Sequence, residues 1–185
     1  MIRVLLFILL LAPGTTLAAG GTITGVTAEA RDGQVWVGGT LEARFPDEVI
    51  DEIRRGVPKD LFFTARLIRR HKRFFDEELS AATVRYTLKY DTLQEHFHIL
   101  RVAPDGTETE HVADTFEDAQ THVSTLAPVA LPMPDQPGRW VHYGAVKAEM
   151  RAAKLPLLLG YVFFFFPVLE FDTPWARSAP VELAP

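Results

Sequence analysis

The feature that most constrains this 185-residue chain is a two-residue alternation of apolar and polar side chains, which recurs in separate stretches. In residues 83–90, valine, tyrosine and leucine alternate with threonine, arginine and lysine. In residues 35–45, every odd position is apolar or glycine. A period of two is that of a β-strand with one buried face and one wet face. The pattern therefore predicts a mainly β protein with antiparallel strands.

Turn and helix signals separate the alternating stretches. Asp32-Gly33 and Pro104-Asp105-Gly106 are typical of hairpin turns. Pro46 and the acids after it predict a short helix that Gly56 ends, and Thr115 begins a capping-box pattern for a second one. Such spacing predicts an antiparallel β-sandwich, Ig-like or related, of about 7–9 strands with two short connecting helices. A partly open barrel is the alternative.

Residues 83–90 are expected to lie in the middle of an antiparallel meander. Residues 74–80 are predicted to be a loop, and the prolines of residues 128–137 predict an irregular or edge segment. The other predicted strands are residues 61–73, residues 95–103, residues 140–151 and a last edge strand around Trp175 and Val181.

The first residues have the composition of a secretory signal peptide. Arg3 precedes an apolar run, residues 4–11, and small residues follow up to Ala18. The run is shorter than the roughly 20 apolar residues that span a bilayer, so a retained anchor is the lesser alternative. We expect residues 1–18 to be cleaved and residues 19–185 to form one soluble β-rich domain in the periplasm or outside the cell.

The composition limits what else the chain can be. It has no cysteine, which excludes disulfides, a lipid-modified cysteine and a cysteine nucleophile. Removing Arg3 with the signal takes the formal net charge from -5 to -6, which argues against nucleic-acid binding. A mature chain of this length can bury roughly 70% of its unfolded surface, so one domain is stable without cross-links.

The order and spacing of several motifs resemble an uncharacterised exported bacterial family catalogued as domain of unknown function 4390. The likeness runs from about Ile23 to Ser178 and rests on Gly56-Val57-Pro58, Tyr90-Asp91-x-Leu93-x-x-x-Phe97, Phe116 to Ala119, Leu155-Pro156 and Phe171-Asp172-x-x-Trp175. Phe74 or Phe75 stands where the family has a tryptophan. The resemblance implies an exported, periplasmic β-rich domain with no established activity, cofactor or catalytic residue. It also implies a link to envelope sensing, because genes of the family often neighbour those of two-component sensor kinases.

Two stretches are candidate interaction sites. The first is a basic cluster that is expected to project beyond a strand end: Arg69, Arg70, His71, Lys72 and Arg73. It either meets an acidic partner or lipid headgroups, or discourages edge-to-edge pairing of strands. Phe163, Phe164, Phe165 and Phe166 are four consecutive phenylalanines. They are either a fully buried strand, a partner- or ligand-binding patch, or a segment that touches the membrane surface. Two prolines and a short length argue against a membrane span.

Evidence for catalysis is weaker. His96 and His98 share one strand face and, with Glu95, Glu110 or His111, are weak metal candidates. The three serines beyond the signal lie outside any nucleophile elbow. The acids of residues 76–78 are either paired catalytic carboxylates or a local charge balance. We therefore expect no enzyme and no cofactor.

Three functions follow, in decreasing order of support from the sequence. The first is a non-enzymatic envelope interaction module that binds a membrane or envelope protein. The second is a carrier or sensor of a hydrophobic ligand, held between the sheets by Phe163, Phe165, Tyr143 and Trp140. The third is a metal- or carboxylate-dependent hydrolase that uses His96, His98 and Glu77.

Overall fold

The computed structural model describes residues 20–71, 75–134, 140–152 and 169–183. The predicted signal peptide, Lys72, Arg73 and Phe163 to Phe166 lie outside these ranges. The described elements are β1 (Thr22–Arg31), β2 (Gln34–Glu42), α1 (Asp47–Arg54), β3 (Lys59–Arg70), β4 (Glu77–Asp91), β5 (His96–Val102), β6 (Glu108–Ala113), α2 (Phe116–Val123), β7 (Thr125–Pro132), β8 (Val141–Ala152), β9 (Leu169–Asp172) and β10 (Ala176–Arg177).

The strands form two antiparallel sheets that pack face to face. The small sheet has the order β1-β2-β7, and the large sheet has the order β10-β8-β3-β4-β5-β6, with β9 also paired to β8. The sheets stay separate and do not close into a barrel. The predicted sandwich is confirmed, and the meander runs from β3 to β6 as expected.

The hairpin turns lie where the sequence predicts them. Asp32 and Gly33 have φ of 52° and 70°, and Gly106 has φ of 84°, a left-handed region in which a small residue costs least. The predicted loop over residues 74–80 is too long, because β4 already begins at Glu77. The strand extends there because Glu77 pairs in register with Arg69.

Both short helices are confirmed. Gly56 follows α1 with φ of 84° and donates its N–H to the Ile53 carbonyl at 2.8 Å, which ends the helix. Thr115 caps α2, since its hydroxyl accepts the Asp118 N–H at 3.1 Å. Their buried residues, Val49 and Ile53 in α1 and Phe116, Ala119 and Val123 in α2, belong to the core. In the part of the chain that the structure describes, no helix is long and apolar enough to cross a membrane.

The proline-containing segment and the C-terminal segment both form sheet edges, as predicted. β7 contains Pro128 and Pro132 and is an edge strand of the small sheet. The C-terminal segment pairs with the edge of β8 that faces away from β3. It does so in three pieces, which are β9, β10 and a bridge from Val181 to His142. The last edge strand is therefore present but interrupted.

The two faces of the large sheet are chemically different. A side chain added at Gly144 would meet Val37 of β2 at 3.1 Å, so Gly144 points at the small sheet. Since side chains alternate, Tyr143 and Ala145 point the opposite way. We call the side towards the small sheet the inner face and the other side the outer face. On β3, Leu61 and Phe63 lie on the inner face and are at most 2% exposed.

Candidate interaction surface

Arginine side chains lie over aromatic rings on the outer face. The Arg66 guanidinium carbon is 4.1 Å from the centroid of the Trp175 ring, and that of Arg177 is 4.7 Å from the Tyr143 ring. These distances are within the range for cation–π attraction, which contributes about 0.5–1 kcal/mol at exposed sites. The stacking joins β3 and β8 to the C-terminal segment through side chains.

The acids at and just before the start of β4 pair with these cations. Glu78 pairs with Arg66 at 2.9 Å, and Asp76 pairs with Arg177 at 3.4 Å. Asp76 also accepts a hydrogen bond from the Tyr143 hydroxyl. The interpretation of residues 76–78 as a local charge balance is therefore confirmed.

The pKa values of Asp76 and Tyr143 are shifted in opposite directions. The hydrogen bond from Tyr143 holds the pKa of Asp76 below its ordinary value, and the nearby charges of Arg177 and Arg70 act in the same direction. Burial, together with the bond to Asp76, raises the pKa of Tyr143 to about 12. At neutral pH the carboxylate is therefore charged and the phenol is a donor.

A shallow cavity of about 160 Å³ lies between the stacked side chains; we call it the outer hollow. Arg66, Asp76, Tyr143 and Arg177 contribute polar lining, and Ile68 contributes apolar lining. Trp175 forms part of the same wall and is 37% exposed. The hollow is thus open to a group that approaches from solvent.

A second group of aromatic and basic side chains lies where β8 begins and β3 ends. Trp140 is 50% exposed, and its ring centroid is 5.1 Å from that of His71 and 5.9 Å from the Arg69 guanidinium. Val141 is 44% exposed, and Phe75, just before β4, is 97% exposed. We call Arg69, His71, Phe75, Trp140 and Val141 the Trp140 end.

The predicted placement of the basic cluster is wrong for its first two members. Arg69 and Arg70 do not project beyond the sheet, because they pair in register with His142 and Val141 of β8. The Arg69 side chain is only 19% exposed and forms an ion pair with Glu77 at 3.2 Å. Arg69 has cross-strand partners on both sides of β3, and Arg70 has one on the β8 side, so both residues lie inside the sheet.

His142 is a buried titratable residue beside this end. It is 0% exposed, and its ring nitrogens make no hydrogen bond of normal geometry with any described residue, although the Trp140 backbone is close. Burial lowers the pKa of His142 and the charge of Arg69 lowers it further, while the Trp140 backbone raises it. The ring is therefore held neutral.

The described residues that flank the phenylalanine segment lie at the other end of the large sheet from Arg69 and Arg70. Arg70 pairs with Val141, whereas Ala152 and Leu169, which flank the segment containing the phenylalanines, belong to the opposite end of β8. The eleven steps of β3 between these ends correspond to about 36 Å. The basic stretch therefore stands apart from the chain that leads into the phenylalanine segment.

Each of the two metal candidates contacts a different carboxylate. His96 lies 3.2 Å from Asp114, and His98 lies 2.9 Å from Glu110. Across the described ranges, no three histidine, aspartate or glutamate side chains form a group that could hold a metal ion. Glu77 is at the other end of β4 from these histidines, about 46 Å along the strand. The structure does not bring the three hydrolase candidates together.

Of the four predicted ligand-lining residues, Phe163 and Phe165 lie outside the described ranges, and Tyr143 and Trp140 lie apart from the space between the sheets. Tyr143 is on the outer face, and Trp140 is half exposed at the end of the sheet. A larger cleft, of about 420 Å³, lies near both helices, with Tyr90, Phe97 and Glu95 in its lining. Of the residues predicted to hold a hydrophobic ligand, the two that the structure describes, Tyr143 and Trp140, do not line this cleft.

Sequence reasoning missed the outer hollow. Arg66 lies just before the predicted basic cluster, but its ring partner Trp175 is 109 positions later, and nothing in the local pattern joins them. The only available signal was that Trp175 and Arg177 fall two residues apart, which is the spacing of one strand face.

Comparisons with known proteins give one match. The model of a family described as a domain of unknown function, DUF4390, matches residues 18–178. No curated protein and no solved structure matches the chain.

Proposed function

The chain belongs to the DUF4390 family, and we propose that it is a non-enzymatic exported interaction module that binds a protein of the cell envelope. The observation that carries this proposal is the Trp140 end, where exposed aromatic side chains lie beside arginine and histidine. Phe75 is almost fully exposed and Trp140 is half exposed. Both rings expose apolar surface that a partner can cover.

The chemistry of this end is that of a protein interface. Tryptophan, tyrosine and arginine dominate the energetically important residues of interfaces, because large rigid rings bury much area at low entropic cost. Trp140 is partly supported by the rings and charges of His71 and Arg69. A supported ring loses less conformational entropy when a partner covers it.

The other parts of the proposal rest on the sequence and the family. Export rests on the signal-like composition of residues 1–18. The absence of enzymatic activity rests on the lack of a cysteine and of a nucleophile elbow in the sequence. A role in envelope sensing rests on the family resemblance.

The test is site-specific photo-crosslinking in intact cells, followed by a binding measurement with purified components. A photoreactive phenylalanine analogue replaces Phe75, and the protein that it captures is identified and purified. We expect the Trp140→Ala/Phe75→Ala double variant to bind that protein at least about tenfold more weakly, since each lost interface anchor costs more than 1 kcal/mol.

The matched control is Trp36→Ala, which removes a tryptophan from the small sheet, where the ring is covered by Arg31 at 4.4 Å. This variant should bind like the unchanged chain. Equal weakening by both variants, with both still folded by circular dichroism, would contradict the proposed surface.

A further inference from the structure

We propose that the outer hollow receives a carboxylate side chain from an acidic, extended segment of the partner protein. This inference rests on the proposed function, because it names the chemistry of the same partner. The outer hollow lies near the Trp140 end, at the same end of the large sheet. The group enters between Arg66 and Arg177 and lies against Trp175.

The two arginines have donors left for a ligand. A guanidinium has five N–H donors in a fixed planar fork. Arg66 contacts Glu78 through Nη1 at 2.9 Å, and its buried Nε has no hydrogen-bond partner among the described residues. Arg177 contacts Asp76 through Nη1 at 3.4 Å. Stacking on Trp175 and Tyr143 holds the planes of both forks, so the remaining donors are already oriented.

The size of the hollow fits one side chain. Its volume of about 160 Å³ is close to that of an engineered cavity of about 150 Å³ that binds benzene. Ile68 and Ala145 supply apolar lining for the methylene groups of a glutamate. A folded domain or a whole lipid headgroup with its chains is too large to enter.

The local charge favours an anion. Arg66, Arg70 and Arg177 face two carboxylates, those of Asp76 and Glu78, on this part of the outer face. The sum is one positive charge, so a single added carboxylate neutralises it. Charge-assisted hydrogen bonds between guanidinium and carboxylate are about twice as strong as neutral ones.

The same arrangement disfavours an anionic membrane as the ligand. A flat bilayer surface meets the carboxylates of Asp76 and Glu78 together with the arginines, whereas a single side chain can enter between them. The formal charge of the whole chain, -5, adds repulsion from an anionic surface. A protein segment is therefore the ligand that the geometry favours.

The experiment is a nuclear magnetic resonance titration of the mature chain with the peptide acetyl-Glu-Ala-Glu-Ala-Glu-amide. The lysine peptide of the same length and acetate are the comparison probes. We expect the indole N–H signal of Trp175 and the Nε–H signal of Arg66 to shift with the glutamate peptide only. Arg66→Gln and Arg177→Gln should each weaken binding about tenfold, as the loss of a charged hydrogen bond predicts.

Arg85→Gln is the matched control, because Arg85 pairs with Phe62 on the same outer face, outside the hollow, and its loss changes the charge equally. It should leave the affinity within about twofold. Arg66→Lys keeps the charge but loses the planar fork, and it should weaken binding nearly as much as Arg66→Gln. Nearly equal losses in these two variants identify the fork, and not charge alone, as the recognised feature.

Four results would overturn the inference. The first is that Arg85→Gln weakens peptide binding as much as Arg66→Gln does, and the second is that the Trp175 indole signal does not shift. The third is that acetate binds as tightly as the glutamate peptide. The fourth is that the chain binds phosphatidylglycerol vesicles in a way that depends on Arg66, while the peptide does not bind. If Arg66→Gln and Arg177→Gln leave the affinity for the partner captured through Phe75 unchanged, the inference fails and the proposed function stands.

Discussion

The two faces of β3 differ although they are made by alternate residues of one strand. On the inner face, Phe63 is 0% exposed and its ring packs edge-on against Tyr86, with the centroids 5.9 Å apart. On the outer face, the neighbouring Phe62 is only partly buried and is covered by the Arg151 guanidinium at 5.4 Å. Among the described residues, the inner face has a second sheet over it, whereas the outer face is covered by side chains.

This difference shows where the molecule is available for binding. A face covered by another sheet can be opened only by unfolding, because the packing is close throughout. A face covered by arginines over rings can admit a ligand by small side-chain movements. The outer hollow lies on the second kind of face, and the variants below test how far the two faces differ.

The largest expected effect comes from Phe63→Ala. Truncating a fully buried phenylalanine removes its burial energy and leaves a cavity, which costs about 3–5 kcal/mol of unfolding free energy. The matched variant Phe62→Ala should cost about 1 kcal/mol, since it loses partial burial and one cation–π contact. Urea denaturation of both variants measures the difference. Similar costs would show that the outer face is packed as firmly as the inner one.

The next effect tests the charged residue on the inner face. Lys59 is 1% exposed and pairs with Glu52 of α1, whose side chain is 42% exposed. Glu52→Gln should cost about 1–3 kcal/mol, because it weakens the pairing of a buried ammonium, with solvent at Glu52 reducing the loss.

Lys59→Met is the control for that variant, since it replaces the buried charge by an apolar chain of similar length. We expect its cost to be smaller than that of Glu52→Gln, as measured by thermal unfolding. A larger cost for Lys59→Met would show that the ammonium makes a stabilising contribution beyond its pairing with Glu52.

A pH effect is expected from His142, the inner-face residue at the other end of the sheet. Its pKa is lowered by folding, chiefly through burial, so the unfolded chain binds a proton at higher pH than the folded one. Stability is therefore retained above the ordinary value of 6.5 and is lost as the pH falls below it. Asp76 and Glu77, whose pKa values are also lowered, lose their contribution only below 3.8 and 4.5.

The variant His142→Leu should remove this part of the pH dependence. The measurement is the urea midpoint of both proteins between about pH 7 and pH 5, a range around the ordinary histidine pKa. The urea midpoint of the unchanged chain should fall relative to that of His142→Leu as the pH decreases, because only the unchanged chain has the buried imidazole. Parallel curves would show that His142 does not titrate with unfolding.

The smallest expected change in stability comes from Trp140→Ala. The ring is half exposed and contacts only His71 and Arg69 among the ring and cation–π pairs of the described residues. The unfolding free energy should fall by about 0.5 kcal/mol, as for other surface substitutions. A loss comparable to that of Phe63→Ala would show that Trp140 is a structural residue and would weaken its assignment to a binding surface.

Local patterns predicted the elements well. Alternation located β2 and the meander, and the left-handed φ at Asp32, Gly33 and Gly106 agrees with the predicted turns. Thr115 shows why this succeeded, because its capping bond joins residues only three apart. Such features depend on neighbours in the chain, so a sequence displays them directly.

The candidate surface was predicted only in part. Arg69 was expected at an interaction site, and it lies beside Trp140 at the end of the sheet. Its placement within the sheet was not foreseen, because that depends on Glu77 and His142 on two other strands. The pairing of Arg66 with Trp175 could not be predicted for the same reason.

The sequence by itself determined the strand-rich class, the turns and the caps, since these follow from side-chain period and backbone preference over a few residues. Only the tertiary structure decided that β8 lies between β3 and the C-terminal segment. That order places Tyr143, Trp175 and Arg177 around one hollow. The physical reason is that pairing between distant strands depends on how the whole core is buried, and no local residue pattern encodes which distant edge will complete it.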